Sequence, residues 1–132
     1  MSIVIISADL DGLKHINDTF GHTEGDNAIT TVGKALVSSA IQGEVCSRFG
    51  GDEFTVAGVI ADSDSCYFDS FRFRFREYLH RYNSISHKPY QVESSIGFCI
   101  QPMDKNVDLD QMIKVADDRM YEDKIQRRKA RK

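Results

Sequence analysis

A chain of 132 residues, 41% hydrophobic and 28% charged, holds material for one compact core and no second domain. No apolar run approaches the roughly 18 residues that cross a bilayer, and the segment 1–6 is too short and uncharged for a secretory leader, so a soluble protein or fragment is expected. The net charge of -3 hides a basic end (Lys124, Arg127, Arg128, Lys129, Arg131, Lys132) on a distinctly acidic remainder, which argues against a nucleic-acid binder. Cys46, Cys66 and Cys99 are odd in number and lack CxxC or Cys/His metal spacing, so they read as reduced thiols of a cytosolic protein.

In chain order, Ser2 to Ala8 carries Ile3-Val4-Ile5-Ile6, a β-branched run without polar alternation, the pattern of a central strand buried on both faces. It ends at Asp9-Leu10-Asp11-Gly12 and leads into the helix-like Leu13-Lys14-His15-Ile16-Asn17. Such a strand, glycine turn and helix start present backbone N–H groups suited to phosphate. Taken singly, Asp9 or Asp11 reads first as an Asx turn or a helix cap. After Gly21-His22 comes a second helix, over about Glu24 to Ala40, whose Ala28, Ile29, Val32, Leu36 and Ala40 recur at helical spacing. Val45 to Phe49 and Phe54 to Ile60 then flank Gly50-Gly51-Asp52-Glu53 as a β-hairpin. Its glycines permit positive φ and leave no Cβ, so a phosphate-bearing ligand can approach the backbone beside two carboxylates. By itself, the same turn is also an ordinary hairpin turn.

Asp62-Ser63-Asp64-Ser65 offers caps for a long helix through about Tyr82, with Phe68, Phe71, Phe75, Tyr78 and Leu79 as its apolar stripe and Arg72, Arg74 and Arg76 as a solvated face. Asn83 to Pro89 reads as a polar loop. Tyr90 to Ile100 reads as a strand in which Gly97 marks close approach by a neighbour. Asp108 with Gln111 resembles a capping box for the last helix, whose Leu109, Met112, Ile113, Ala116 and Met120 face the core. Lys124 and Arg128 fall four apart on one face of it.

This order predicts an α+β fold, the ferredoxin-like βαββαβ scheme with flanking helices. That scheme sets the first strand beside the hairpin and brings Asp9 close to Asp52. Two carboxylates and a backbone carbonyl at strand ends make a hard, all-oxygen site suited to Mg²⁺ or Mn²⁺, where a metal would polarise an α-phosphate and acidify an attacking hydroxyl.

The stretches Asp9-Leu10-Asp11-Gly12-Leu13-Lys14-His15-Ile16-Asn17-Asp18, Gly21-His22-Thr23-Glu24-Gly25-Asp26 and Arg48-Phe49-Gly50-Gly51-Asp52-Glu53-Phe54 closely resemble the GGDEF family of diguanylate cyclases. Ser95-Ile96-Gly97 and Ala116-Asp117-Asp118-Arg119-Met120-Tyr121-Glu122-Asp123-Lys124 are similar to its later signatures. The resemblance implies a sheet of the nucleotidyl-cyclase and polymerase-palm type. It also implies condensation of two GTP into cyclic di-GMP with release of two pyrophosphates, across a homodimer and with two Mg²⁺ (or Mn²⁺) ions per half-site. By position it makes Asp9, the Leu10 carbonyl and Asp52 the metal ligands. Asp52 is also the candidate base or relay, with Glu53 and Lys14 completing the catalytic set. Gly12, Leu13, Lys14, Lys124 and Arg128 would hold phosphates, while Asn17, His22 and Asp26 would surround guanine. A carboxylate facing the guanine N1–H and amino group is left unpaired against adenine, which gives Asp26 a physical basis for specificity.

Three departures bear on these expectations. The family's RxxD product-inhibition positions hold Ile41 and Glu44, which puts feedback by that route in doubt. Arg127-Arg128-Lys129 replaces the usual Gly-Arg-Asn, so Arg128 fits although its turn does not. The usual upstream helix and DxLT-type segment are not seen, so residues 1–132 read as a GGDEF domain taken from a longer, sensor-bearing protein. It is expected to be cytoplasmic or the cytoplasmic part of a membrane-bound sensor, without direct membrane or nucleic-acid contact. The alternative is a non-catalytic GTP-binding regulatory module.

Overall fold

The computed structural model describes residues 1–130; Arg131 and Lys132, the last two of the basic run, lie outside the described residues. In chain order the elements are β1 (Ser2–Leu10), α1 (Leu13–Phe20), α2 (His22–Ser39), β2 (Val45–Arg48), β3 (Glu53–Ile60), α3 (Tyr67–Ile85), β4 (Ser94–Pro102) and α4 (Leu109–Ala130). The four strands form one antiparallel sheet in the order β2-β3-β1-β4, which is the ferredoxin-like arrangement the sequence predicts. No helix among the described residues is long and apolar enough to cross a membrane.

β1 is central, and both of its faces are covered because its β-branched run offers no polar side to water. Val4, Ile6, Ala8 and Leu10 join the larger core, with Val32 and Leu36 of α2 and Tyr67, Phe71 and Phe75 of α3. Ile5, on the other face, packs with Cys99 of β4 and with Met112 and Ala116 of α4. In that second layer the Ser7 hydroxyl donates to Asp117 of α4. Gly97 explains how closely α4 lies on β4: a Cβ there would come within 2.6 Å of the Ala116 carbonyl oxygen, in the helix backbone. β4 is an edge strand, and its outward backbone groups are met by side chains. Arg76 donates to the Ser94 carbonyl at 3.2 Å, the Ile96 N–H donates to Asp123 at 2.9 Å, and Arg119 donates to the Phe98 carbonyl at 2.8 Å.

The structure differs from the sequence reading in several places. α3 starts at Tyr67 with no side-chain cap, because Asp62 instead accepts from the N-terminal amine and the Ser2 hydroxyl. Arg74 and Arg76 are not a solvated face: Arg74 donates to the Ser39 carbonyl, and Arg76 to Ser94 and Asp123. Tyr90 and Val92 are buried yet precede the last strand, since the Asn83 amide pairs with both the N–H and the carbonyl of Val92 in place of a strand neighbour. Asp108 does cap α4 through the Gln111 N–H at 3.2 Å, but Leu109 is exposed rather than core. α4 runs through Arg127 and Arg128 to Ala130 without the glycine turn that the family pattern has there.

Candidate functional site

The site gathers where β1 ends. A hairpin turn beside it carries Gly50 and Gly51 at φ of 84° and 54°, a left-handed pair that residues with a Cβ rarely adopt. The turn is closed by the Phe49 N–H to the Glu53 carbonyl at 2.9 Å, and Arg48 Nε holds the Gly51 carbonyl at 2.9 Å. It is tied to β1 by the Leu10 N–H donating to the Asp52 carbonyl at 3.2 Å, while Asp9 stands in register with Glu53. Asp9 and Asp52 therefore come together, as the strand order predicts.

Asp9 is the strained member. Its Oδ2 accepts from Lys124 Nζ at 2.9 Å, in a pair whose side chains are 13% and 16% exposed. Among the described residues its buried Oδ1 has no hydrogen-bond partner. Burial first, and then the neighbouring Asp52 carboxyl, push the Asp9 pKa up to about 6 against the lowering influence of Lys124. A buried anionic oxygen without a donor, next to a second carboxylate, is what a hard cation would satisfy. Among the described residues no three acidic, His or Cys side chains group as a metal centre. Asp9 and Asp52 thus offer two hard carboxylate donors side by side. That fits Mg²⁺, which keeps waters and takes further oxygens from a bound phosphate.

Beyond Leu10 the chain turns at Gly12, in the left-handed conformation at φ 73°, and enters α1 without a side-chain cap. The first N–H groups of this helix have no partner within it, the usual condition of an anion-binding helix start. Gly12 lines a cavity of about 120 Å³ with Asp11, Lys124, Arg127 and Arg128. Lys124 and Arg128 therefore do converge with the turn. Leu13 packs half-buried against the core, Lys14 is exposed on the first turn of α1, and Glu53 is exposed at the start of β3.

One turn along α1, the side chain of Asn17 lies over Gly25: a Cβ at 25 would overlap Asn17 Oδ1. Asn17 thus sits one residue from Asp26, with His22 and Asp26 exposed at the start of α2. Asn17 lies five residues beyond Gly12 along α1, an axial rise of about 7.5 Å.

Sequence reasoning missed the polar frame around the turn. Asp11 accepts from Ser95 Oγ at 2.6 Å and from Arg127 Nε at 3.1 Å, and Arg127 Nη2 also reaches Glu93 at 3.0 Å. The available signal was the placement of Arg127 three residues after Lys124 on one helix face. Of the altered inhibition positions, Ile41 is exposed and Glu44 is occupied by the Tyr67 hydroxyl at 2.6 Å.

The sequence profile described as "Diguanylate cyclase, GGDEF domain" matches residues 1–130. The probable diguanylate cyclase DgcJ of Escherichia coli K12 is 34% identical over 123 residues, 93% of this chain and 23% of that protein. The diguanylate cyclase DgcP of the same organism is 33% identical over 128 residues, 96% of this chain and 37% of its own length. This chain therefore spans well under half of either relative. Among solved structures, a sensory box/GGDEF family protein from Caulobacter crescentus CB15 superposes with a TM-score of 0.76 at 26% identity, over 95% of this chain and 80% of that one. The GGDEF domain of DgcB from Caulobacter crescentus, solved in complex with c-di-GMP, gives 0.73 at 23% identity, over 95% and 73%.

Proposed function

The chain belongs to the GGDEF family of diguanylate cyclases, and from that membership we propose that it condenses two GTP into cyclic di-GMP and two pyrophosphates. The observation that carries the reading is Asp9, a buried carboxylate with one unpartnered oxygen, set beside Asp52 at the strand end next to the Gly12 turn.

Asp9, the Leu10 carbonyl and Asp52 would hold Mg²⁺ or Mn²⁺, two ions per half-site. When bound, the metal supplies positive charge to the α-phosphate and acidifies the attacking 3′-hydroxyl. The Gly12 and Leu13 N–H groups, with Lys14, Lys124 and Arg128, bind the triphosphate and gather positive charge where negative charge develops. Asp52 accepts or relays the proton of the 3′-hydroxyl, and Glu53 supports the metal and phosphate end. About 7.5 Å further along α1, Asn17, with Asp26 of α2, receives the guanine edge with His22 beside them. One domain binds one GTP, so two copies must face each other for each hydroxyl to reach the other's α-phosphate. An upstream sensor or regulatory domain would govern that meeting, in the cytoplasm, where GTP is available.

The test is to incubate the purified chain with GTP and Mg²⁺ over a range of protein concentrations and follow cyclic di-GMP by chromatography. The expected result is product whose rate per chain rises with concentration. No product together with no Mg²⁺-dependent GTP binding would refute the reading. GTP binding without product would instead favour the regulatory module.

A further inference from the structure

Arg127 stands where the family pattern has glycine, and it is built into the site. Its side chain is 23% exposed and that of Asp11 only 7%. Nε meets Asp11 at 3.1 Å while Nη2 meets Glu93 at 3.0 Å, so one guanidinium bridges two carboxylates. Ser95 Oγ donates to the other Asp11 oxygen, and the Asp11 N–H donates to the Glu93 carbonyl at 2.8 Å. One turn earlier on α4, Lys124 holds Asp9. The helix is thus fastened on both sides of Leu10, at the residue before it and the residue after it. A planar fork suits this bridging role, which a lysine ammonium cannot fill in the same way.

The position of Asp11 raises an electrostatic problem. Its buried carboxylate precedes Gly12 and lines the same small cavity as Gly12, Lys124 and Arg128. An uncompensated charge there would repel any phosphate that Gly12 received. We propose that Arg127 is a positioning residue for phosphate binding: it bridges Asp11 and Glu93 behind the β1–α1 turn, cancels the charge of Asp11 and fixes the backbone that leads into Gly12. This inference rests on the GTP reading of the site.

The test uses the purified chain and its Arg127→Gln, Arg127→Lys, Asp11→Asn and Arg127→Gln/Asp11→Asn variants, titrated with Mg²⁺–GTP and, separately, with guanosine, which lacks phosphate. Arg127→Gln is expected to bind Mg²⁺–GTP about tenfold more weakly with guanosine binding unchanged, and Arg127→Lys to fall between it and the parent. Removing the charge of Asp11 in the double variant should restore Mg²⁺–GTP binding to within about threefold. A double variant as weak as Arg127→Gln alone would mean that the guanidinium meets the phosphates itself and would overturn the proposal. So would an Arg127→Gln variant equal to the parent, or an equal loss of guanosine binding. A parent chain that binds neither probe would instead remove the GTP reading, and this inference with it.

Discussion

Asp9→Asn should stabilise the metal-free protein at neutral pH while removing its response to Mg²⁺. The folded protein raises the Asp9 pKa from 3.8 to about 6, burial being the largest cause. Holding that carboxylate ionised at pH 7 therefore costs the native state about 3 kcal/mol as an upper figure. Asparagine keeps the shape and deletes the charge, and because the raised pKa already contains the opposing pull of Lys124, the gain expected is at most about 3 kcal/mol. The sign follows from proton binding. Between the two pKa values the native state holds more of the proton than the unfolded chain, so the parent gains stability as pH falls from about 6 toward 3.8. The advantage of the variant should accordingly be full above pH 7 and close in that window. Urea unfolding of both proteins in a chelator, at pH 7.5 and at about pH 4, measures this. Added Mg²⁺ should then raise the stability of the parent alone, by mass action. An asparagine variant no more stable at pH 7.5, or one with the same advantage at both pH values, would refute the account of Asp9.

Other substitutions probe separate links. Asp52→Ala is expected to abolish cyclic di-GMP formation while leaving cooperative unfolding intact, and unchanged turnover would defeat the metal-site assignment. Gly97→Ala places a Cβ against the backbone of α4, 2.6 Å from the Ala116 oxygen, where no side chain can swing aside. It should cost about 2 kcal/mol or more in urea unfolding, and a loss below about 0.5 kcal/mol would contradict the packing described. Gly25→Ala instead meets side chains alone, Leu13 Cδ1 at 3.3 Å and the overlapping Asn17 amide, and the Asn17 side chain can rotate away. Stability should change by less than about 1 kcal/mol, while GTP affinity falls because Asn17 is displaced. GTP affinity equal to the parent's would count against Asn17 as a guanine contact.

Elements with a single periodic signature were legible in the sequence. The β-branched run of β1, the glycine hairpin and the helical stripe of α2 each specify one structure locally, and the strand order then follows from the ferredoxin-like scheme. The meeting of Asp9 with Asp52 came out of that order, not out of either motif alone. What escaped were interactions decided by partners far away in sequence. Asp62 looks like a helix cap, yet the N-terminal amine 61 positions away claims it. Val92 looks like strand, yet an asparagine side chain takes the place of the neighbouring strand. Arg76 looks like solvated charge and Arg127 like one more cation of a basic end, yet each finds a carboxylate only once α4 is laid across the sheet. Lys124 was legible as a cation of the site, but its pairing with Asp9 was not, because no local pattern encodes a contact over 115 residues.

The side chains along β4 have a consequence for assembly. Arg76, Asp123 and Arg119 take hydrogen-bonding positions on its outer rim that an incoming strand would need. A second copy therefore cannot extend the sheet there without first breaking those bonds, and the route toward continuous, filament-like pairing is blocked at its longer rim. On that side of the sheet, encounters between copies are left to side-chain surfaces, which separate again readily. For a domain whose proposed chemistry needs two copies to meet and part on command, association then stays under the control of whatever sets local concentration and orientation.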